Sequence, residues 1–594
     1  MKGTRLLLGL FLVALIVYVV IIVYPVVHPV LAHPPERGWL MALLAALFSA
    51  TSSPFRLKGP TPFVILGIGC AMWLVMEVDM RTRKLTTHGT AHLAGRREIR
   101  PFRRSPHLPH PRAFGRKVAR PLESRLVLGT AGWREVSLSE DQQQANVLLV
   151  GPTGAGKTVR IITPNLLREQ GGRSLVIPDV KGELLRLTAG CVAQQHEVWI
   201  FDPQHPKRSD GYNPLAFIRS IEDAQEFARC WVANTGHSPE DYWNKVARHL
   251  LTWTLLHLKT AEPQAPFSRV SDILCELPYE DLKRVLTTTP ATIIRQKAKA
   301  WFDDLDRNPR LIGSTMTETA TRFEALAGEN VRAVTAHNQI DFRVMAEQAV
   351  ALYLELPRRY AERYQPLIAC LMQQMFATWE ELAETAPDGR LPRRILCFLD
   401  EFTNLGVIPN FSGYISTARH SGVGMLIAVQ SFAQIEEKYH KSVRSSILAN
   451  CMTHLLLPGA GLEETEYYSQ RIGNTTVRSD SHHQQGSGLT AHDSWTQGET
   501  GRRLRTPDEL RTMAENEMLI LHGKTAPLFV LTRPYYRDRT IKRRVGLPFH
   551  RVRVYEQAAL PAASSAPAPS PIIVDADQDV QDSKPGNSQF FLDE

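Results

Sequence analysis

Residues 151–158 of this 594-residue chain read Gly-Pro-Thr-Gly-Ala-Gly-Lys-Thr, and no other stretch implies chemistry so directly. The pattern G-x-x-x-x-G-K-[ST] puts glycines where a loop must turn its backbone N–H groups onto phosphate oxygens. Gly151, Thr153, Gly154, Ala155 and Gly156 are expected to form that cradle. Lys157 supplies a cation for the β and γ phosphoryl groups, and Thr158 a hydroxyl for Mg2+. Such a loop needs a strand before it and a helix after it. Residues 146–150 (NVLLV) read as a short buried strand and residues 159–169 as a helix, so context and pattern agree.

Nucleotide hydrolysis also needs a carboxylate at the end of a second buried strand. Residues 395–401 (ILCFLDE) fit, with five apolar residues ending in Asp400 and Glu401. Asp400 is placed to order the metal's ligand shell and Glu401 to polarise an attacking water. Residues 425–430 (MLIAVQ) end in Gln430, a candidate sensor of the γ-phosphate. The run 174–178 (SLVIP) leads into Asp179-Val180-Lys181-Gly182-Glu183, which alone reads as a charged strand-to-helix turn. A further run, 350–354 (VALYL), precedes Glu355.

Apolar runs alternating with helical stretches predict an α/β fold whose parallel sheet is covered on both faces. Ligands in such sheets bind at the carboxyl ends of the strands, where Lys157, Asp400 and Gln430 would meet. Between strand runs the segment 219–334 is helical. Val246, Leu250, Trp253 and Leu256 recur on one helical face, and Pro263, Pro266 and Pro278 punctuate the segment. It is expected to be an inserted all-α subdomain, with Trp231, Tyr242, Trp243 and Trp253 read as core rather than as a base-stacking platform.

Net charge is +9, and thirteen Lys and Arg lie within 81–125 against Glu98 and Glu123 alone. Ahead of that basic run come two uncharged or nearly uncharged stretches, 6–27 and 61–78, long enough to span a bilayer. The positive-inside rule puts the basic side in the cytoplasm. Two spans place both basic flanks on that side, and the short apolar segment 38–50 is then interfacial or re-entrant. The basic run suits anionic lipid and topology better than DNA, which remains the alternative. Seven scattered cysteines without a CxxC pair exclude a zinc module and a secreted disulfide framework. Residues 478–503 read as a polar surface loop. Its His482, His483 and His492 lack the cysteine or acidic company of a metal site. Residues 546–594 read as a disordered acidic tail with an apolar tip, Phe590-Phe591-Leu592.

Taken in order, TPFVILGIGC at 61–70, HGTAHLAG at 88–95, the P-loop, DVKGEL at 179–184, FLDEFTNLG at 398–406, IAVQS at 427–431 and LRTPDEL at 504–510 resemble the TraG-like type IV secretion coupling proteins. The resemblance covers roughly residues 60–545. It implies a RecA-like P-loop ATPase domain with an inserted all-α subdomain and N-terminal transmembrane helices. It also implies ATP and Mg2+ as cofactors, a homo-hexameric ring, and a multi-pass place in the bacterial inner membrane with the ATPase domain in the cytoplasm. Its partners would be a relaxase or effector substrate, DNA, and the inner-membrane components of the secretion system. The same resemblance puts Arg419 where the family has an arginine finger; without it, Arg419 is a surface arginine.

The expected layout is then a membrane anchor at 1–80, a basic segment at 81–140, and a nucleotide-binding domain in two parts, 141–218 and 335–545. The all-α insert at 219–334 separates those parts, and a tail at 546–594 follows. The function so read is an ATPase that recruits substrate to a type IV secretion channel and drives its transfer. Two other readings stay open. A DNA-segregation translocase has the same motor core but more usually carries extra spans and a DNA-reading C-terminal domain. A nucleotide-gated receptor would hold cargo without pumping it, and would keep binding cargo after loss of Lys157 or Glu401.

Overall fold

The computed structural model describes residues 86–102, 124–235, 242–356, 358–485 and 492–549. The expected spans 6–27 and 61–78, the segment 38–50, most of the basic run and the tail from 550 onward lie outside the described residues. Among the described residues no helix is long and apolar enough to cross a membrane. Everything below belongs to the compact unit Thr87–Glu594.

The described residues form thirteen strands: β1 Leu126–Ala131, β2 Arg134–Leu138, β3 Val147–Val150, β4 Ser174–Asp179, β5 Glu197–Phe201, β6 Val350–Glu355, β7 Ile395–Leu399, β8 Val423–Val429, β9 Thr453–Leu456, β10 Asn474–Gln485, β11 His492–Arg503, β12 Glu517–His522 and β13 Leu528–Leu531. Eleven form one sheet in the order β2-β1-β13-β12-β9-β3-β8-β7-β4-β6-β5. From β9 to β5 the seven neighbouring strands are parallel, and β12, β13, β1 and β2 extend that sheet antiparallel. The parallel sheet follows from the apolar runs; the antiparallel extension goes beyond them.

Every residue of β3, β4, β6, β7 and β8 is buried. A strand buried on both faces has no polar side to alternate with, so it reads as one continuous apolar run. The pleat nevertheless divides each strand between two cores. Leu148, Val150, Cys397, Leu399, Ile427 and Val429 join the core on one face. Val147, Leu149, Leu396, Phe398, Leu426 and Ala428 join the other.

Among the described residues, all regular elements between β5 and β6 are helical, from Ile221–Ala233 through Tyr242–Ala261, Tyr279–Thr287, Thr292–Asp306 and Pro309–Phe323 to Glu329–Val334. Trp231 is core: it is 1% exposed, its indole N–H donates to Arg322 O at 3.0 Å, and its ring stacks on Phe323. Trp253 is buried as well, whereas Tyr242 is half exposed. The helical segment is tied to the sheet by Asn234. Its Oδ1 accepts from Val407 N at 2.7 Å, and its Nδ2 donates to Val407 O at 2.8 Å.

Residues 478–485 and 492–503 are strands rather than the expected loop. β10 and β11 pair antiparallel over twelve residues a side, and Thr90 bridges to Thr475 at the base. The hairpin escapes a hydrophobic reading because its strands carry almost no apolar residues to alternate; main-chain pairing alone is expressed there. The side chains of His482, His483 and His492 lie outside those described.

Candidate active site

β3 ends at Val150 and the glycine loop follows. Gly154 and Gly156 adopt left-handed φ values of 84° and 92°, a conformation that costs other residues roughly 1 kcal/mol or more. At Gly151 the constraint is space, because an added Cβ would lie 2.9 Å from Leu457 Cβ. Beyond the loop the chain winds as a π-helix over Lys157–Ile162 and continues as an α-helix over Thr163–Leu166, starting two residues before the expected helix.

Lys157 is 7% exposed, and its ammonium donates to the carbonyls of Gly151 at 2.6 Å and Pro152 at 3.3 Å. Burial pulls its pKa below the ordinary lysine value, opposed by the nearby Asp400 and Glu401 carboxylates. The cation is thus held over its own loop. Thr158 Oγ1 donates to Asp400 Oδ2 at 2.6 Å, joining the β3 loop to the end of β7. Thr153 Oγ1 donates to Gln430 Oε1 at 2.9 Å, joining it to the end of β8.

Asp400 is 8% exposed and its Oδ1 is buried without a hydrogen-bond partner. Burial pushes its carboxyl above the usual range; the Thr158 hydrogen bond opposes this, and the charge of Glu401 adds to it. A buried carboxylate oxygen lacking a partner is costly unless a ligand completes it. The donors here are a hydroxyl and a carboxylate, oxygen only, which suits Mg2+ sharing its remaining positions with phosphates and water. Among the described residues no group of three or more His, Cys, Asp or Glu could hold a metal by itself.

Glu401 sits at φ 51°, ψ 49°, left-handed although it is not glycine. Backbone strain of this kind gathers at functional sites. Both carboxylate oxygens are engaged: Oε1 lies 3.2 Å from Lys181 Nζ, and Oε2 accepts from Asn404 Nδ2 at 2.8 Å. Sequence reasoning missed both partners. Lys181 was visible only as part of a charged turn, and its use depends on β4 lying beside β7. Asp179 fixes that turn: its Oδ1 accepts from Glu183 N at 3.1 Å and its Oδ2 from Leu185 N at 2.9 Å. Burial raises the Asp179 carboxyl, and these backbone hydrogen bonds oppose the rise. Thr158, Asp179, Lys181, Asp400 and Glu401 line one cleft.

Arg419 is not brought to this cleft. It is exposed on the helix Phe411–Ser421, which leads into the amino end of β8, whereas the cleft is at the carboxyl ends.

A second charged cluster occupies the carboxyl ends of β5 and β6. Asp202, fully buried, accepts from Gln204 N and His205 N through Oδ1, and from His205 Nδ1 at 2.8 Å and Arg208 Nε at 2.7 Å through Oδ2. Arg208 also pairs with Glu355. Burial, then a hydrogen bond with Asp202, raises the Glu355 carboxyl to about 7. Burial pushes Asp202 upward too, but the hydrogen bonds from His205 and Arg208 outweigh it and hold Asp202 below its ordinary value.

A parallel sheet with a glycine loop after β3, a hydroxyl–carboxylate pair and a strained glutamate at neighbouring strand ends defines a P-loop NTPase. The family model for Type IV secretory system Conjugative DNA transfer matches residues 115–561, well over half of the chain, and the chain belongs to that family. Conjugal transfer protein TraG of Escherichia coli is 26% identical over 481 residues, covering 75% of this chain and 74% of TraG. Protein VirD4 of Agrobacterium fabrum is 26% identical over 516 residues, covering 83% and 73%. The solved structure of plasmid coupling protein TrwB in complex with ADP and Mg2+ is similar at TM-score 0.52 and 18% identity, covering 67% of this chain and 87% of that one; the likeness is one of fold.

Proposed function

We propose that this chain is an inner-membrane coupling ATPase of type IV secretion, which recruits a relaxase–DNA complex or protein effectors and drives their transfer by hydrolysing ATP. One observation carries the hydrolytic part: Thr158 and Asp400 are joined at 2.6 Å, with a partnerless buried oxygen on Asp400 and Glu401 next to it. Family membership supports the secretion role.

In this reading the backbone N–H groups of residues 151–158 hold the phosphates, and Lys157 turns its ammonium from loop carbonyls to phosphoryl oxygens. Thr158 and Asp400 would hold Mg2+, which when bound draws charge from the phosphoryl oxygens as the terminal bond breaks. Glu401 orients the attacking water, and Gln430, tethered to Thr153, responds to the γ-phosphoryl group. Because Arg419 lies toward the amino ends of the strands and the cleft at their carboxyl ends, it serves as a finger only from a neighbouring chain. That requirement supports a ring, for which six copies are proposed. Spans 6–27 and 61–78 would hold the ring in the membrane.

The test is ATP hydrolysis by the full chain in lipid, with Mg2+, across protein concentration, with and without single- or double-stranded DNA. The expected result is activity that rises steeply with concentration, increases with DNA, and is lost in Lys157→Ala and Arg419→Ala. Activity indifferent to DNA would turn the reading toward protein cargo. Cargo binding that survives both substitutions without any hydrolysis would replace the motor with a receptor.

A further inference from the structure

The nucleotide cleft and the loop beside it hold two cations, Lys157 and Lys181, against four carboxylates, Asp179, Glu183, Asp400 and Glu401, so the site is formally negative before any ligand enters. A third phosphoryl group brings added negative charge into this buried setting, where an uncompensated charge is costly. The cation available to meet it is identified by how each is held. Lys157 is buried over its own loop by two carbonyls. Lys181 is 37% exposed at its side chain, and its ammonium makes a 3.2 Å ion pair with Glu401 Oε1.

Asn404 and Lys181 hold Glu401 with unequal firmness. Asn404 cannot easily leave, because its backbone N–H donates to Glu401 O at 2.8 Å and its carbonyl accepts from Gln365 Nε2 at 2.9 Å. Lys181 ends a flexible four-carbon stem on a turn fixed by Asp179. Its Cα stays in place while its ammonium can swing within the cleft it lines with Thr158 and Asp400.

We propose that Lys181 is a γ-phosphate-responsive cation, which holds Glu401 Oε1 in an ion pair and moves to the γ-phosphoryl oxygens of a bound triphosphate, releasing its own hold on that carboxylate. This deepens the NTPase reading and rests on it. A diphosphate has no group to draw Lys181 away, so Glu401 stays clamped until a triphosphate arrives. Lys181 is thereby a positioning residue for Glu401 and a discriminator between the two nucleotides.

Equilibrium binding of fluorescent ADP and of a fluorescent non-hydrolysable ATP analogue, each with Mg2+, tests this on the full chain in lipid. The variants are Lys181→Gln and Lys181→Arg. Lys181→Gln is expected to weaken the triphosphate analogue about tenfold and to change ADP affinity less than about twofold. Lys181→Arg, which keeps the charge, should recover most of the loss. In parallel, Lys181→Gln should lower kcat several-fold. Equal weakening of both nucleotides, or unchanged affinity for both, overturns the proposal. Wild-type chain that binds neither nucleotide overturns the NTPase reading itself, and that result is distinguishable because it precedes any comparison of variants.

Discussion

Two clusters of buried carboxylates and cations stand at the carboxyl ends of the same parallel sheet, and they are finished differently. At β5 and β6, both oxygens of Asp202 accept hydrogen bonds from backbone or side-chain donors, and Arg208 bridges Asp202 to Glu355. At β3 and β7, Asp400 keeps one buried oxygen without a partner, and Glu401 is held in a strained backbone conformation. A satisfied cluster specifies a fold, while an incomplete one is finished by a ligand. Charge and burial alone do not separate the two; hydrogen-bond accounting does.

That contrast can be broken by substitutions whose effects should not cross over. The largest effect is expected from Lys157→Ala, which should reduce ATP hydrolysis by at least about a hundredfold in a steady-state assay while leaving the thermal midpoint little changed. Glu401→Gln comes next. It keeps the shape and the Asn404 contact but not the base, so kcat should fall on the order of a hundredfold with ADP affinity retained in a binding titration.

Arg208→Ala should do the reverse. It removes the cation that Asp202 and Glu355 share, and the half-exposed arginine limits the loss to about 1–3 kcal/mol, read by denaturant unfolding, with hydrolysis per folded molecule unchanged. The smallest effect sharpens the comparison through pH. The Glu355 carboxyl is raised from 4.5 to about 7, so the fold binds an extra proton between those values. That stabilising contribution is full below pH 4.5 and is lost as pH rises through about 7. Glu355→Gln should flatten this part of the stability profile, a change of roughly a degree or two in a thermal scan.

Much of the sheet was legible because fully buried strands announce themselves. The runs at 147–150, 174–179, 350–355, 395–399 and 423–429 are strands within one or two residues of where apolar continuity puts them. The phosphate loop was legible for the opposite reason, since its glycines answer to local backbone geometry. What stayed hidden depends on neighbours in space. Lys181 meets Glu401 only because β4 lies beside β7, a fact of strand order that spacing along the chain does not contain. The hairpin β10–β11 was hidden because hydrophobic periodicity cannot report strands that bury no apolar face.

The tie between Asn234 and the loop after β7 has a mechanical consequence. Gly406 passes so close to Asn234 Oδ1 that a Cβ there would lie 2.5 Å away, and the next residue, Val407, is bonded to Asn234 through both its N–H and its C=O. Four residues separate Gly406 from Glu401, and Asn404 stiffens the stretch between them. The helical insert and Glu401 therefore share one short stretch of chain, and a displacement of either must be absorbed within it.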